Sequence, residues 1–217
     1  HDWSRAFWVK VNSFSGNTQI VDMRYPGYTW PANNWGTLWS SYDPSTGVLD
    51  VTLRKRNGES NPEYHQRWKV DFVPGAWTHF ILAMNGNGAD TKPMVYINGK
   101  EAKAHNWQIG DRKGNGLCSE RYASESWWSE NVLGISLGRH QTAAMNATID
   151  DVKFYDKYLS EAEATASMMS TDPNEAGLKA YWDFENNADG DYFFASKVGN
   201  AKLAHGELRA GQGEGVS

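Results

Sequence analysis

The 217-residue chain is long enough for one β-sandwich domain, and its 11 Trp, 10 Tyr and 8 Phe can fill an aromatic-rich core. Its net charge is −5 and its longest basic run is Arg54-Lys55-Arg56, so it lacks the basic footprint of a nucleic-acid-binding protein. No stretch approaches the roughly 18 consecutive apolar residues of a membrane-spanning helix, and the lone Cys118 excludes an intrachain disulfide.

The first third of the chain contains three segments with the period of a β-strand. Residues 5–12, 48–54 and 67–73 each alternate apolar and polar side chains, which predicts strands with one buried face. Residues 26–47 combine aromatic side chains with Pro, Asn, Gly and Ser, a composition typical of a loop.

The middle of the chain predicts a central hairpin followed by a second long loop. Trp77–Met84 is apolar at both odd and even positions, which indicates a strand covered on both faces. Residues 94–97 lead into Asn98-Gly99, a two-residue signal for an antiparallel hairpin. Residues 105–130 show no period, and loops of this length in compact domains are usually functional or disordered.

The stretch 133–171 reads as two strands and a helix. Residues 133–138 and 149–155 predict two strands, which we expect to be neighbours in one sheet. Ser160 precedes Glu163 by three residues, the spacing of a capping box at the start of a short helix. Residues 178–184 predict a further strand, which we expect to pair near the first strand.

These segments, in this order, resemble a laminin-G-like domain of the concanavalin A-like class. The resemblance rests on three features. Residues 6–11 resemble an early strand of the family, and residues 77–84 with 94–100 resemble its central hairpin. Residues 133–138 and 149–163 resemble its closing pair of strands and the Leu-Ser-Glu-Ala-Glu that follows them. It implies an all-β fold, a two-sheet antiparallel jelly-roll sandwich with one short peripheral helix near 160–170. We expect this domain to span residues 1–205, closed by the strand near 178–184, with 206–217 as a Gly-rich tail or linker.

The sequence does not contain the catalytic pattern of the glucanases that share this fold. Their strand-borne Glu-x-Asp-x-x-Glu places three carboxylates on one face, but no Glu in this chain has an Asp two positions later. The six histidines show no His-Glu-x-x-His spacing. We therefore expect no enzymatic activity.

A structural calcium ion is a further expectation, because relatives of this class often hold one at a sheet edge near the last strand. Asp150 and Asp151 lie on that strand, and Asp183 could supply a further carboxylate. All three would then be ligands, because Ca²⁺ takes six to eight oxygen ligands, carboxylates among them. The alternative is that one aspartate is a bulge residue bonded to backbone and the other is solvated.

Aromatic side chains in the two long loops are the best candidates for ligand binding, since a pyranose ring stacks on indole while its hydroxyls pair with polar side chains. The candidates are Tyr28, Trp30, Trp35, Trp39, Trp127 and Trp128. The competing interpretation is that these side chains pin the loops to the sandwich. Four tryptophans on predicted strands we assign to the core: Trp8, Trp68, Trp77 and Trp182.

Two functional hypotheses follow. The resemblance implies a non-catalytic glycan-binding module of an extracellular or cell-surface protein, with a glycan or polysaccharide as partner. The alternative is a structural or protein-interaction module that packs against a neighbouring domain or subunit. Because the N-terminus lacks the order of a signal peptide, we expect a mature chain or an excised domain.

Overall fold

The computed structural model describes residues 2–14, 18–24, 37–54, 63–85, 93–105, 134–137, 139–140, 143–185, 188 and 193–204. Within them the early elements are β1 Trp3–Ser13, β2 Thr18–Arg24, β3 Thr37–Asp43, β4 Val48–Arg54, β5 Glu63–Lys69, β6 Trp77–Met84, β7 Pro93–Ile97, β8 Lys100–Glu101 and β9 Lys103–Ala104. The later elements are β10 Gly134–Leu137, β11 Arg139–His140, β12 Ala143–Ala144, β13 Asn146–Tyr155, α1 Glu161–Met169, β14 Leu178–Trp182, β15 Phe193–Ala195 and β16 Lys202–Ala204.

Two antiparallel sheets form a sandwich. The first sheet has the strand order β14-β13-β1-β6-β7-β8, and the second has the order β10-β2-β3-β4-β5-β9. β11 with β12, and β15 with β16, form two small additional ladders. The predicted all-β, two-sheet class with one short helix is confirmed for the described residues.

The main core lies between the two sheets. β1 contributes Phe7, Val9 and Val11 to it, each at most 1% exposed, as the alternation of this strand predicts. The second sheet contributes Val51 and Trp68 among others, and these are also buried. Each buried side chain of this size contributes roughly 1.5–3 kcal/mol, so the sandwich is held mainly by this layer.

A second apolar layer covers the outer face of the first sheet, the face opposite the main core. Here Ile81 and Ala83 of β6 pack beneath α1, whose Ala164 is fully buried. β6 therefore has apolar contacts on both faces, which confirms the prediction for residues 77–84 at all positions except the first.

The helix begins where the sequence predicts. The Ser160 hydroxyl accepts from the Glu163 backbone N–H, and the Glu163 carboxylate accepts from the Ser160 N–H, which completes the capping box. The contacts with Lys157 and Ser160 lower the pKa of Glu163 to about 2.

A buried lysine anchors the other end of α1. The ammonium of Lys153, on β13, donates to the carbonyls of Ser167 and Ser170 and to Glu175 Oε1 at 2.7 Å. The Tyr155 hydroxyl donates to the second oxygen of Glu175, also at 2.7 Å. Lys153 thus supplies a cation to the carbonyl end of the helix, where the helix dipole favours one.

The predicted hairpin turn forms at Asn98-Gly99. Both residues have positive φ angles, 51° and 76°, and the flanking residues Ile97 and Lys100 pair across the turn. The turn also contacts α1, because the Thr165 hydroxyl donates to the Gly99 carbonyl at 2.8 Å.

We expect Gly99→Ala to destabilise the fold more than Gly75→Ala. Both glycines have φ near +80°, where a side chain costs roughly 1–3 kcal/mol. A Cβ on Gly99 would also lie 3.0 Å from Thr165 Cα, whereas nothing lies within 4 Å of one on Gly75. Urea unfolding of both variants measures the difference, and equal losses would contradict a tight turn–helix contact.

The structure corrects two expectations about strands. Residues 37–43, inside the predicted loop 26–47, form β3, because β2 and β4 supply hydrogen-bonding partners on both sides of a segment whose composition is loop-like. β10 and β13 were expected to be neighbours but lie in different sheets, since the chain crosses between the sheets after β10. Residues 178–182 form β14 at the edge of the first sheet, paired with β13 and one strand away from β1.

The structure also corrects two tryptophan assignments. Trp68 and Trp182 are buried as predicted, but Trp77 is 41% exposed and Trp8 is half-buried. Both corrected residues lie on the outer face of the first sheet: Trp8 lies at the C-terminal end of α1, where its indole N–H donates to the Met168 carbonyl, and Trp77 lies in the next row beyond it. Their position relative to the helix, which strand periodicity does not report, decides their exposure.

Candidate functional site

The predicted ligand-binding aromatics are placed only in part. Trp39 lies on β3, where the backbone register sets it opposite Asp22 on β2 and Thr52 on β4. The other five candidates lie outside the described residues: Tyr28, Trp30, Trp35, Trp127 and Trp128. The predicted tail 206–217 lies outside them as well.

The second sheet presents polar side chains on the side away from the core. Along β4, Leu49 and Val51 are fully buried in the core, so alternation turns Asp50 and Thr52 to the opposite face. Cross-strand pairing aligns Asp50 with two further polar residues on β3 and β5. We call this set the polar face: Ser41, Asp50, Thr52 and Arg67.

The polar face is held in a fixed geometry. Arg67 Nε donates to Asp50 Oδ2 at 2.6 Å, and the Thr52 hydroxyl donates to Asp50 Oδ1 at 3.2 Å. The side chains of Asp50 and Arg67 are 17% and 34% exposed, and Thr52 is buried. Because both carboxylate oxygens have a fixed donor, the ion pair is oriented before any ligand arrives.

This arrangement suits recognition of hydroxyl groups. A half-buried carboxylate accepts from a hydroxyl, the guanidinium carries four N–H groups besides Nε–H, and Ser41 adds a hydroxyl that donates or accepts. None of the four residues was among the candidates from the sequence, although Asp50, Thr52 and Arg67 occupy polar positions of the alternating segments 48–54 and 67–73, and Ser41 lies in the predicted loop 26–47. The alternation was the signal that could have found them, but it did not show that the pair would be half-buried.

One motif match is explained by the fold. Residues 134–138, Gly-Ile-Ser-Leu-Gly, match the spacing of the nucleophile elbow of α/β-hydrolases, in which the serine sits on a strand-to-helix turn. Ser136 instead lies inside β10 and pairs with Asp22 of β2. The match therefore gives no support for a serine hydrolase.

The three predicted calcium ligands lie at the β13–β14 edge of the first sheet. Asp151 has a φ of 48° and lies at a bulge, because the β1–β13 register shifts between Ala6 and Trp8. Its carboxylate accepts from the Tyr181 hydroxyl at 2.7 Å, and the Asp150 carboxylate accepts from the Asp151 backbone N–H at 2.8 Å. The bulge alternative raised by the sequence matches in part: Asp151 lies at the bulge, but its carboxylate bonds the Tyr181 hydroxyl, the carboxylate bonded to backbone is that of Asp150, and both residues are half-buried.

The β13–β14 edge carries several negative charges, and one of them is neutralised by a lysine. Burial raises the pKa of Asp150, and the charges of Asp151, Glu185 and Asp183 raise it further, against the backbone hydrogen bond that lowers it. Asp183 forms an ion pair with Lys197. Within the described residues no group of three or more His, Cys, Asp or Glu side chains is arranged to hold a metal. These residues alone do not form a calcium site, and calcium binding stays a prediction that metal analysis of chelator-free protein would test.

The described helix is too short to cross a membrane, and no other helix in the described part of the chain is long and apolar enough to do so.

Comparisons with known proteins agree with this fold. The family model of the concanavalin A-like lectin/glucanases superfamily matches residues 1–165. A comparison with curated protein sequences gives no significant match.

Two of the similar solved structures illustrate the likeness. One is a Bacteroides ovatus protein to which carbohydrate binding has been attributed, with a TM-score of 0.55 and 16% identity over 93% of this chain. The chain spans about half of that protein, 50% of its length. The other is the CBM40 of the Ruminococcus gnavus IT-sialidase, solved with α2,3-sialyllactose, with a TM-score of 0.51 and 12% identity over 76% of this chain and 81% of that one. Because the family match covers more than half of the sequence and these structures share the jelly-roll sandwich, the chain belongs to the concanavalin A-like lectin/glucanase superfamily.

Proposed function

We propose that this chain is a non-catalytic glycan-binding module of an extracellular or cell-surface protein. The observation that carries the proposal is the oriented, half-buried Asp50–Arg67 pair on the polar face. Binding sites for small molecules typically place a few fixed polar groups beside aromatic surface. Similar folds in proteins named for carbohydrate binding support the same ligand class.

The non-catalytic part of the proposal rests on the setting of the carboxylate. Most glycoside hydrolases use two carboxyl groups roughly 5–9.5 Å apart across the scissile bond. Asp50 is instead engaged by Arg67 and Thr52, an arrangement that orients a ligand hydroxyl. The glucanase spacing is also missing from the whole sequence.

We expect calorimetry and tryptophan fluorescence to detect saturable binding to members of a glycan panel. The panel contains laminarin, mannan, xyloglucan, cellohexaose and both sialyllactose isomers, each with and without calcium. Arg67→Gln removes charge-assisted hydrogen bonds worth about 1.5–3 kcal/mol, so affinity should fall roughly 10- to 100-fold. The double variant Trp127→Ala/Trp128→Ala tests whether the predicted loop aromatics contribute.

Lys179→Ala is the matched control, because Lys179 is in an exposed ion pair with Asp156 on the other sheet. It should leave both affinity and thermal stability unchanged. Absence of binding to every glycan, with Arg67→Gln and wild type equally stable, would reject the glycan module and favour the protein-interaction alternative.

A further inference from the structure

The outer face of the first sheet has an open end beyond the helix. α1 ends at Met169, and its Met168 carbonyl accepts the indole N–H of Trp8 at 3.3 Å, so the helix stops above the row of Trp8. The next row of the sheet consists of Trp77, Lys10 and Thr148, aligned by strand pairing. We call these three residues the open row.

Trp77 is an exposed aromatic on this row. Its exposed fraction is 41%, whereas Trp3, Trp68 and Trp182 are each at most 3% exposed. The Lys10 ammonium lies 5.2 Å from the centroid of the Trp77 ring, a cation–π contact that holds the ring in one orientation. The indole is thus both accessible and preorganised, which lowers the entropic cost of stacking a ligand on it.

Amides and hydroxyls follow the open row along both strands. Asn12 Nδ2 donates to Asn146 Oδ1 at 3.2 Å, and Asn146 Nδ2 donates to Ser13 Oγ at 3.1 Å. These three side chains and that of Thr148 are exposed. They are neutral groups that donate and accept hydrogen bonds, as sugar hydroxyls require.

We propose that the open row is a second saccharide-binding subsite, one that stacks a neutral pyranose on Trp77 and pairs its hydroxyls with Lys10, Thr148 and the neighbouring amides. A neutral sugar suits this row because its hydrogen-bonding groups other than Lys10 are neutral hydroxyls and amides, and Asp150, of opposite charge to Lys10, lies opposite Trp8 in the adjacent row. The proposal shares its ligand class with the proposed function but uses residues on the opposite sheet. Two subsites on opposite sheets would let one module bridge two segments of polysaccharide and increase avidity.

The test compares Trp77→Ala, Trp77→Phe and Arg67→Gln with wild type by calorimetry against laminarin, mannan, xyloglucan and cellohexaose. We expect Trp77→Ala to weaken binding to at least one of these glycans roughly tenfold or more, the loss typical of a central aromatic contact. Trp77→Phe keeps an aromatic ring and should retain most of that affinity. Thermal melting of every variant checks that each binding measurement is made on folded protein.

The two sites fail in different ways. If Trp77→Ala binds all four glycans as wild type does, or if none of them binds, the open row is not a saccharide subsite. If Trp77→Ala loses binding and Arg67→Gln does not, the open row is supported and the polar face is rejected as a glycan site. If Trp77→Ala and Arg67→Gln each lose a different part of the binding isotherm, both sites are supported.

Discussion

Replacing Glu175 with alanine is expected to lower the free energy of unfolding by about 3–5 kcal/mol, the usual cost of removing one partner of a buried ion pair. The Lys153 side chain is 2% exposed and would lose its Glu175 carboxylate partner, while the Tyr155 hydroxyl would lose an acceptor. For a chain of this size the loss corresponds to a fall in Tm of roughly 6–20 °C. Calorimetric melting and urea unfolding measure it.

The control for this prediction is the exposed Lys179–Asp156 pair, whose side chains are 64% and 54% exposed. Lys179→Ala should cost less than about 1 kcal/mol, because solvent screens exposed pairs. The double replacement of Lys153 by Met and Glu175 by Leu should recover much of the loss, since no uncompensated charge is left in the interior. Equal effects of Glu175→Ala and Lys179→Ala would show that the buried pair does not anchor α1.

The free energy of unfolding is expected to fall by up to about 3 kcal/mol between pH 6.5 and pH 4 because of His79. Its side chain is 2% exposed, its Nδ1 has no hydrogen-bond partner among the residues that the structure describes, and its ring centroid lies 5.2 Å from that of Trp8. Burial, with the Lys153 cation adding to it, lowers the pKa of His79 from 6.5 to about 4. The unfolded chain therefore binds a proton that the folded chain excludes, so the stabilisation is complete above pH 6.5 and is lost as the pH falls through 4.

Other groups act outside this window or with the opposite sign. The lowered pKa values of Asp43, Glu161 and Glu163 reduce stability mainly below pH 4.5, and the raised pKa of Asp150 favours the folded state as the pH falls. His79→Leu isolates the histidine contribution and should flatten the profile between pH 6.5 and 4.5. Urea unfolding at half-unit pH steps measures the free energy of unfolding of each variant. If this free energy depended on pH with the same slope in wild type and His79→Leu, the assignment to His79 would be wrong.

Local chemistry made the regular elements predictable. Phe7, Val9 and Val11 alternate so strictly that only one face of β1 could be buried, and the Ser160–Glu163 spacing marked the first turn of α1 within one residue. Asn98-Gly99 marked its turn because few other dipeptides adopt two successive positive φ angles without strain. Each of these signals depends on residues within a few positions of one another.

The contacts within the polar face could not be predicted from such local signals. The alternation of 48–54 indicates that Asp50 and Thr52 lie on one face, but the partner Arg67 is 17 residues away. Pairing of β4 with β5 determines that contact. The composition of 37–43 likewise favours a loop, and hydrogen bonding to β2 and β4 overrides that preference, as strand propensity depends strongly on neighbouring strands.

The sequence by itself determined the main core strands, the capped helix and the hairpin turn, because each depends on a short-range period or turn geometry. It indicated the fold class through the resemblance of these segments, in their order, to laminin-G-like domains. The tertiary structure alone decided the sheet to which β10 belongs, the exposure of Trp77, and the burial of Lys153 and His79 beneath or beside α1. Burial of a polar or aromatic side chain depends on which distant element covers it. That choice is made by the packing of whole sheets and the helix, and no local pattern reports it.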